Sequence, residues 1–317
     1  FGNKISKQSL TTTAQNILKT LGYFDLFQYP LTGEEIYTFN SAGVTHRAVN
    51  EALEELTGSK SVFKIGEFFS LHNNYSLAER RRNGNQLATA HLITARRVAK
   101  FLYRFPYVKG IAVSGSLSKN FATDKTDIDF FIITTANRLW IARTCMHLYK
   151  KITFLRGRQN WFCMNYYVDE NAMEIPEKNI FTAVEIITLL PMHGKECLDR
   201  FIEKNKWTDS FFPLKNFSNT VSVDIKRGLL GKLIEKIFVG RLGDYADTRL
   251  MSITEKRWRK KVQNHQLNSR GEHLGMSIDR HFSKPDPKNF QEKVLRAYAE
   301  KVDDILQHRN LSAVFVL

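Results

Sequence analysis

Two spacings of apolar residues divide the chain into predicted helices and predicted strands. Apolar positions three and four residues apart, typical of a helix with one buried face, recur in 14–22, 45–56, 137–155 and 179–190. Short apolar runs bounded by Gly, Ser or Asn, typical of strands, occupy 108–113, 130–133 and 161–168. Strands and helices alternate between 108 and 190, which predicts an α+β fold with a small mixed sheet.

The first 75 residues predict a separate small module. Thr32 followed by Glu35 has the spacing of a capping box at a helix start, and Thr45 precedes a third helix. Two short strands, 61–65 and 68–71, follow and are joined at a Gly-Glu turn. Three helices and a hairpin in this order resemble a winged-helix domain, which we assign to 1–75.

The charge of the third helix argues against DNA binding by this module. Its polar face carries three acids, Glu51, Glu54 and Glu55, against a single arginine, Arg47. A phosphate backbone would repel such a face in the major groove. We expect a structural or protein-contact role, and duplex DNA binding is the alternative that is not favoured.

The segment from Gly110 to Thr135 carries most of the candidate chemistry, GIAVSGSLSKNFATDKTDIDFFIITT. In an extended strand alternate side chains share a face, so Asp127 and Asp129 project to one side, and Ile128 and Phe130 to the other. Two neighbouring carboxylates repel each other, and a cation would offset that repulsion. Mg²⁺ is the natural candidate because it favours oxygen ligands and often takes only one or two carboxylates.

A turn, Ser114-Gly115-Ser116, ends the strand before this acidic pair. Glycine lets the backbone approach a ligand closely, and amides at a helix start donate to phosphate oxygens. Ser116 adds a hydroxyl donor, and Lys119 adds a cation one helical turn later. The turn and the acidic pair together predict a metal-dependent nucleotide site.

Val113, Gly115-Ser116, ten intervening residues and Asp127-Ile128-Asp129-Phe130 together resemble the pattern of the DNA polymerase beta nucleotidyltransferase superfamily. The resemblance implies that both aspartates hold two Mg²⁺ ions and that the Gly-Ser turn binds the triphosphate of an NTP. It also implies transfer of an NMP to an acceptor hydroxyl with release of pyrophosphate. The acceptor stays open among small molecules, RNA and protein.

A third carboxylate, on a later strand, normally helps to activate the acceptor in this superfamily. The next predicted strand, WFCMNYYV at 161–168, has Asn165 as its central polar residue, and we assign it to nucleotide binding. A neutral amide cannot act as a base. Asp169 at the end of that strand is the preferred third catalytic carboxylate, although Asp169-Glu170-Asn171 also reads as a plain turn. The alternative function is a catalytically impaired relative that regulates DNA or protein partners through its winged-helix module.

Domain boundaries follow from these motifs. We assign 76–198 to the catalytic core, with 76–104 as a linking helix. Helical periodicity dominates afterwards, so 199–317 is expected to form a helical domain that shapes the acceptor site.

The composition limits the ligands and the cellular compartment expected for this protein. The balance of 47 Lys and Arg against 32 Asp and Glu gives a formal charge of +15, which favours polyanionic ligands such as nucleotides. The 3 cysteines have no paired ligand spacing and indicate reduced thiols in a cytoplasm. No apolar run reaches the roughly 18 residues of a membrane span, so none is expected.

Overall fold

The computed structural model describes residues 11–154, 163–215, 228–267, 275–285 and 290–307. Its helices in these ranges are α1 (Thr12–Asp25), α2 (Gly33–Thr38), α3 (His46–Gly58), α4 (Tyr75–Leu102), α5 (Gly115–Ser118), α6 (Leu139–Phe154), α7 (Ile180–Ile187), α8 (Lys195–Lys204), α9 (Leu229–Ile237), α10 (Gly240–Gln263) and α11 (Phe290–Gln307). Its strands are β1 (Leu31–Thr32), β2 (Phe63–Ile65), β3 (Phe68–Ser70), β4 (Val108–Val113), β5 (Asp129–Thr134), β6 (Cys163–Asp169), β7 (Leu190–His193), β8 (Met276–Ile278) and β9 (Phe282–Pro285).

The chain divides into two compact units. The first unit comprises Phe1–Asn83, Trp207–Asn216 and Gln291–Leu317, and the second comprises Gly84–Lys206 and Phe217–Phe290. The boundary falls inside α4. The segment 199–317, expected as a separate helical domain, is therefore shared between the two units.

The first unit contains the predicted three helices and hairpin. Thr32 Oγ1 accepts from the Glu35 amide at 3.2 Å, and the Glu35 carboxylate accepts from the Thr32 amide at 2.9 Å. Thr45 caps α3 in the same way, through the Ala48 amide at 3.3 Å. The predicted capping box and the α3 cap are thus confirmed, and β1, β3 and β2 form a three-stranded sheet in that order.

One arginine at the start of α4 is buried in the first unit. The Arg81 guanidinium pairs with the Glu35 carboxylate at 2.7 Å, donates to the Pro30 carbonyl at 2.8 Å and lies 3.7 Å from the centre of the Tyr29 ring. Arg82 forms a two-point ion pair with Glu67. These arginines therefore link α4 to the module.

The second unit is built on a mixed six-stranded sheet with the order β7-β4-β5-β6-β9-β8. Neighbouring strands are antiparallel except for β5 and β6, which are parallel. One face of β4, β5 and β6 packs against α4 and α6 through a core that includes Phe130, Ile132, Trp140 and Tyr167. On the other face Phe131 packs on Phe201 of α8, with ring centres 4.8 Å apart. The α+β class with a mixed sheet is therefore confirmed.

Three strands of this sheet were not predicted. A helix was expected to run from 179 to 190, but α7 ends at Ile187 and Leu190 begins β7. The β8–β9 hairpin lies in a region predicted to be helical and extends the sheet beyond β6. Each of these strands is short, at 3 or 4 residues, so its apolar pattern is too brief to show a strand period.

Candidate functional site

Strand pairing brings the Gly-Ser turn and the two aspartates to one edge of the sheet. Strands β4 and β5 are antiparallel, with Val113 at the end of β4 opposite Phe130 near the start of β5. The turn that follows β4 therefore lies beside the residues at the start of β5. The Ser114 amide donates to the Asp129 carbonyl at 2.9 Å, which holds the turn against the strand.

Gly115 makes direct room for the Asp129 carboxylate. Its φ of +69° lies in the left-handed region, which residues other than glycine adopt only at a cost in energy. A Cβ atom at this position would lie 2.6 Å from Asp129 Oδ2. The turn needs glycine for both reasons, and the space that glycine leaves is occupied by a carboxylate.

Burial along the acidic segment alternates as predicted. Asp127 and Asp129 are half-buried, whereas Ile128 is 2% exposed and Phe130 is fully buried. The apolar pair belongs to the core between the sheet, α4 and α6. Asp127 precedes β5, which begins at Asp129, so the two carboxylates lie at the very start of the strand.

Cys163 joins this group through strand register. It is the parallel partner of Asp129 at the start of β6. Burial, together with the charges of Asp129 and Asp127, raises the pKa of its thiol to about 12, although Lys150 opposes this rise. The thiol is therefore protonated at neutral pH and is a poor nucleophile. Nothing in the sequence near Cys163 marks its pairing with Asp129. We refer to Gly115, Asp127, Asp129 and Cys163 as the Asp129 end.

Of the predicted phosphate-binding residues, Gly115 and Ser116 lie on the short helix α5, and Lys119 follows it directly. Ser116 is exposed, and its carbonyl accepts from the amides of Lys119 and Phe121 at 3.0 and 3.1 Å. Ser118 Oγ donates to the Gly115 carbonyl at 2.9 Å. These bonds fix the turn from within and leave the Ser116 side chain at the surface.

Lys119 is held by two acceptors in this arrangement. Its Nζ donates to the Gly115 carbonyl at 3.1 Å and to Glu185 Oε1 of α7 at 2.8 Å. Both side chains of this ion pair are largely buried, at 16% and 34% exposed. The structure thus places a cation at the Asp129 end, beside the glycine, together with a carboxylate that sequence reasoning did not identify. Glu185 lies 66 residues from Lys119, so no local pattern links them.

Asn165 occupies an irregular position on β6. Met164 pairs with Phe130 and Tyr166 with Phe131, so the register passes over Asn165 as a β-bulge. Its side chain lies outside the described part of the structure, and its predicted role in nucleotide binding stays a prediction. Bulges redirect the side chains of a strand, which is a reason why simple alternation fails here.

Asp169 lies at the opposite end of the strand pair. It pairs with Thr134, the last residue of β5, whereas Asp129 is the first. Five residues of extended chain span about 17 Å. The structure therefore does not bring Asp169 to the Asp129 end, and the expectation that this strand-terminal carboxylate faces the same cleft is corrected.

The contacts of Asp169 are those of a structural carboxylate. It is fully buried, and it accepts from the amides of Asn137 at 2.7 Å and Asn171 at 2.9 Å. Its Oδ2 also lies 2.9 Å from Nδ1 of His281. These groups join the chain after β5, the turn after β6 and the segment before β9. The plain-turn interpretation of 169–171 fits this geometry.

A second carboxylate stabilises the same region. Asp247 of α10 is 2% exposed, and its Oδ1 accepts from the Ile141 amide in the first turn of α6 at 2.9 Å. Burial raises the pKa of Asp247 to about 6, although bonds from the Ile141 and Trp140 amides lower it. The free amides of a helix start favour a carboxylate partner. We refer to Asn137, Asp169, Asp247 and His281 as the Asp169 end.

The Asp129 end offers two carboxylates as candidate ligands for a cation. In the described ranges, no three His, Cys, Asp or Glu side chains come together as a metal-binding group. Two half-buried carboxylates therefore constitute the candidate set, and Mg²⁺ commonly takes one or two, with water and phosphate completing its shell. The space over Gly115, which a Cβ would fill, lies against one of these carboxylates. The residues present fit such an ion.

Comparisons with known proteins identify no relative. No family model matches the chain, and neither a curated protein nor a solved structure is similar to it. In the part of the chain that the structure describes, no helix is long and apolar enough to cross a membrane.

Proposed function

We propose that this protein is a Mg²⁺-dependent nucleotidyltransferase that moves an NMP from an NTP to an acceptor hydroxyl and releases pyrophosphate. The observation that carries the proposal is the contact between the Gly-Ser turn and Asp129. A phosphate held at that turn would lie next to the carboxylates, because Gly115 has no side chain to separate it from Asp129.

Four side chains at and beside the Asp129 end have separate roles in the proposed reaction. Asp127 and Asp129 would hold the metal, which when bound neutralises charge on the phosphates. The hydroxyl of Ser116 is exposed and donates to phosphate oxygens. Lys119 adds a positive charge. Its Nζ, which donates to Glu185, would also donate to the triphosphate. In phosphoryl transfer, such positioning and charge stabilisation account for most of the catalysis.

The placement of Asp169 favours a second candidate. With Asp169 at the far end of the sheet, the third carboxylate typical of the superfamily is not supplied by that residue. A protein that binds NTP and Mg²⁺ without transferring the nucleotide would act as a regulator, with its N-terminal winged-helix-like module contacting DNA or protein. The two candidates share the binding step and differ in turnover.

Calorimetry tests the binding step. We expect NTP to bind in the presence of Mg²⁺ and to bind at least tenfold more weakly in EDTA. Asp129→Asn and Asp127→Asn should each weaken Mg²⁺-dependent binding at least tenfold, which corresponds to about 1.4 kcal/mol. Asp124→Asn is the matched control, since this exposed aspartate lies in the same loop. No binding by the wild type, or equal loss in the control, would leave the proposal without support.

Two further measurements separate the candidates. Release of pyrophosphate from NTP in the presence of an acceptor pool supports the enzyme, and its loss in Asp129→Asn assigns the activity to this site. Binding of NTP without release supports the regulator. Duplex DNA is titrated at two salt concentrations, because phosphate contacts give an affinity that falls steeply with salt. We expect no such binding, since the α3 face pairs its one arginine, Arg47, with Glu51 at 2.7 Å.

A further inference from the structure

Helix α6 carries two buried polar atoms that have no hydrogen-bond partner in the described structure. These are Nε of Arg143 and Nε2 of His147. The two residues are four apart, so their side chains lie on the same face of the helix. Buried polar atoms of this kind are rare in native proteins and call for an explanation.

The Arg143 guanidinium lies in an apolar environment. The side chain is 8% exposed, and its Nη2 has the Met276 thioether as an acceptor at 3.7 Å. The rings of Trp140 and Tyr167 lie 5.4 and 6.0 Å from its central carbon. In the described ranges no carboxylate pairs with it, and burial lowers the pKa of this arginine. A buried positive charge without a carboxylate partner destabilises the folded state.

His147 and Tyr167 extend the same group of donors. The His147 ring lies 6.2 Å from the ring of Tyr167, which is fully buried. The Tyr167 hydroxyl has the Met146 thioether as its acceptor, at 3.5 Å. Burial, and then the charge of Arg143, lower the pKa of His147 well below its ordinary value. Arg143 and Tyr167 thus face sulfur atoms, which are weak acceptors. We call Arg143, His147 and Tyr167 the α6 donor cluster.

The α6 donor cluster is separate from the candidate metal site. Tyr167 pairs with Ile132, and both belong to the core between the sheet, α4 and α6. Asp127 and Asp129 alternate with the residues that enter that core. The cluster therefore lies on the other face of the sheet from the acidic pair, and it needs its own ligand.

We propose that the α6 donor cluster binds a small oxyanion, with phosphate as the chemistry it fits best. A guanidinium offers parallel donors that match two oxygens of a phosphate, and charge-assisted bonds of this kind are the strong ones. Nε of Arg143 and Nε2 of His147 would each gain the partner they lack, and the Tyr167 hydroxyl would gain a better acceptor than sulfur. Because Tyr167 is fully buried, a free inorganic ion fits the cluster better than a large phosphate ester.

Thermal unfolding in millimolar phosphate tests this site. A ligand that binds only the folded protein raises the melting temperature as its concentration increases. We expect potassium phosphate to raise the melting temperature relative to potassium chloride at equal ionic strength, with ribose 5-phosphate giving a smaller rise. Arg143→Met should abolish the phosphate-specific rise, and in chloride it should be at least as stable as the wild type, since it removes a buried unpaired charge. An equal rise with the ester would overturn the choice of a free ion.

Matched variants keep the test decisive. Arg249→Met removes an exposed arginine of α10 and should keep the full response. Asp129→Asn should also keep it, which separates this site from the proposed nucleotide site. If Arg143→Met does not fold, Tyr167→Phe removes one hydroxyl and should weaken phosphate binding severalfold. An unchanged response in Tyr167→Phe, or no phosphate-specific rise in the wild type, would overturn the proposal.

Discussion

The two ends of the β5–β6 strand pair carry aspartates in opposite circumstances. At the Asp169 end, the carboxylate is fully buried and accepts from the amides of Asn137 and Asn171. At the Asp129 end, Asp127 and Asp129 are half-buried, and the nearest part of the turn is a glycine without a side chain. Aspartate thus accepts hydrogen bonds from backbone amides at the Asp169 end, and at the Asp129 end it lies against a turn.

This contrast shows how a structural carboxylate differs from one available to a ligand. Backbone amides that lack another partner occupy the oxygens of Asp169 and Asp247, and both residues stabilise the segment that leads into α6. Two neighbouring acids at the Asp129 end repel each other instead. A cation bound there would offset that repulsion. The contrast predicts that stability depends on one end and binding on the other.

The largest expected effect is on the stability of Asp169→Ala. Removal of this buried carboxylate leaves the amides of two partly buried hydrogen bonds and the His281 ring without their acceptor, which should lower the free energy of unfolding by about 3–5 kcal/mol. Asp129→Ala is the comparison, and it should change that free energy by about 1 kcal/mol or less, since it also relieves repulsion with Asp127. Urea denaturation followed by circular dichroism measures both. Equal losses in the two variants would erase the distinction between the ends.

A pH dependence of stability is expected at the Asp169 end. Burial raises the pKa of Asp247 to about 6, from an ordinary value of 3.8. The folded state therefore holds this proton more tightly than the unfolded state does. The resulting stabilisation is fully present below pH 4 and is lost as the pH rises through about 6, with a total of up to about 3 kcal/mol.

Asp247→Asn isolates this titration. In the wild type the Ile141 backbone amide donates to Asp247 Oδ1 at 2.9 Å. An asparagine side chain keeps an oxygen that can accept this bond, but it does not ionise. Relative to the wild type, the variant should gain stability between pH 4 and pH 7 and stay level above pH 7. Urea denaturation at several pH values provides the measurement. A difference that does not change with pH would show that the carboxyl stays ionised throughout.

Local sequence signals predicted the local structure well. The Thr32–Glu35 capping box and the Thr45 cap, which accepts from the Ala48 amide at 3.3 Å, depend on residues three apart and were predicted from the sequence. The adjacency of the Gly-Ser turn and the acidic pair also followed from short range, because an antiparallel pair joins them.

Register and long-range packing were not readable in this way. The position of Asp169 depends on how β6 aligns with β5, and the bulge at Asn165 shifts that alignment. The partnership of Lys119 with Glu185 depends on the packing of α7. No apolar period signals either fact. The sequence pattern therefore predicted that Asp129 lies beside the Gly-Ser turn, as it does. It placed Asp169 with them, although Asp169 lies at the opposite end of the β5–β6 pair.

Gly115→Ala should cost less stability than Asp169→Ala, and it tests the Asp129 end most directly. A left-handed φ of +69° costs an alanine about 1–2 kcal/mol. The new Cβ would also lie 2.6 Å from Asp129 Oδ2, so the carboxylate must rotate away. Mg²⁺-dependent NTP binding should then weaken at least tenfold, as measured by calorimetry.

Gly194→Ala is the matched glycine variant for this test. Gly194 also has a positive φ, of +81°, but its Cβ would lie 1.9 Å from the backbone carbonyl of Lys109. A backbone atom cannot rotate away as a carboxylate does, so Gly194→Ala should lose more stability than Gly115→Ala. Lys109 lies at the start of β4, beside the Asp169 end, so the folded fraction of Gly194→Ala should bind NTP normally. If Gly115→Ala binds NTP as tightly as the wild type, the contact between the turn and Asp129 has no part in binding. The acidic pair would then be a feature of the fold alone.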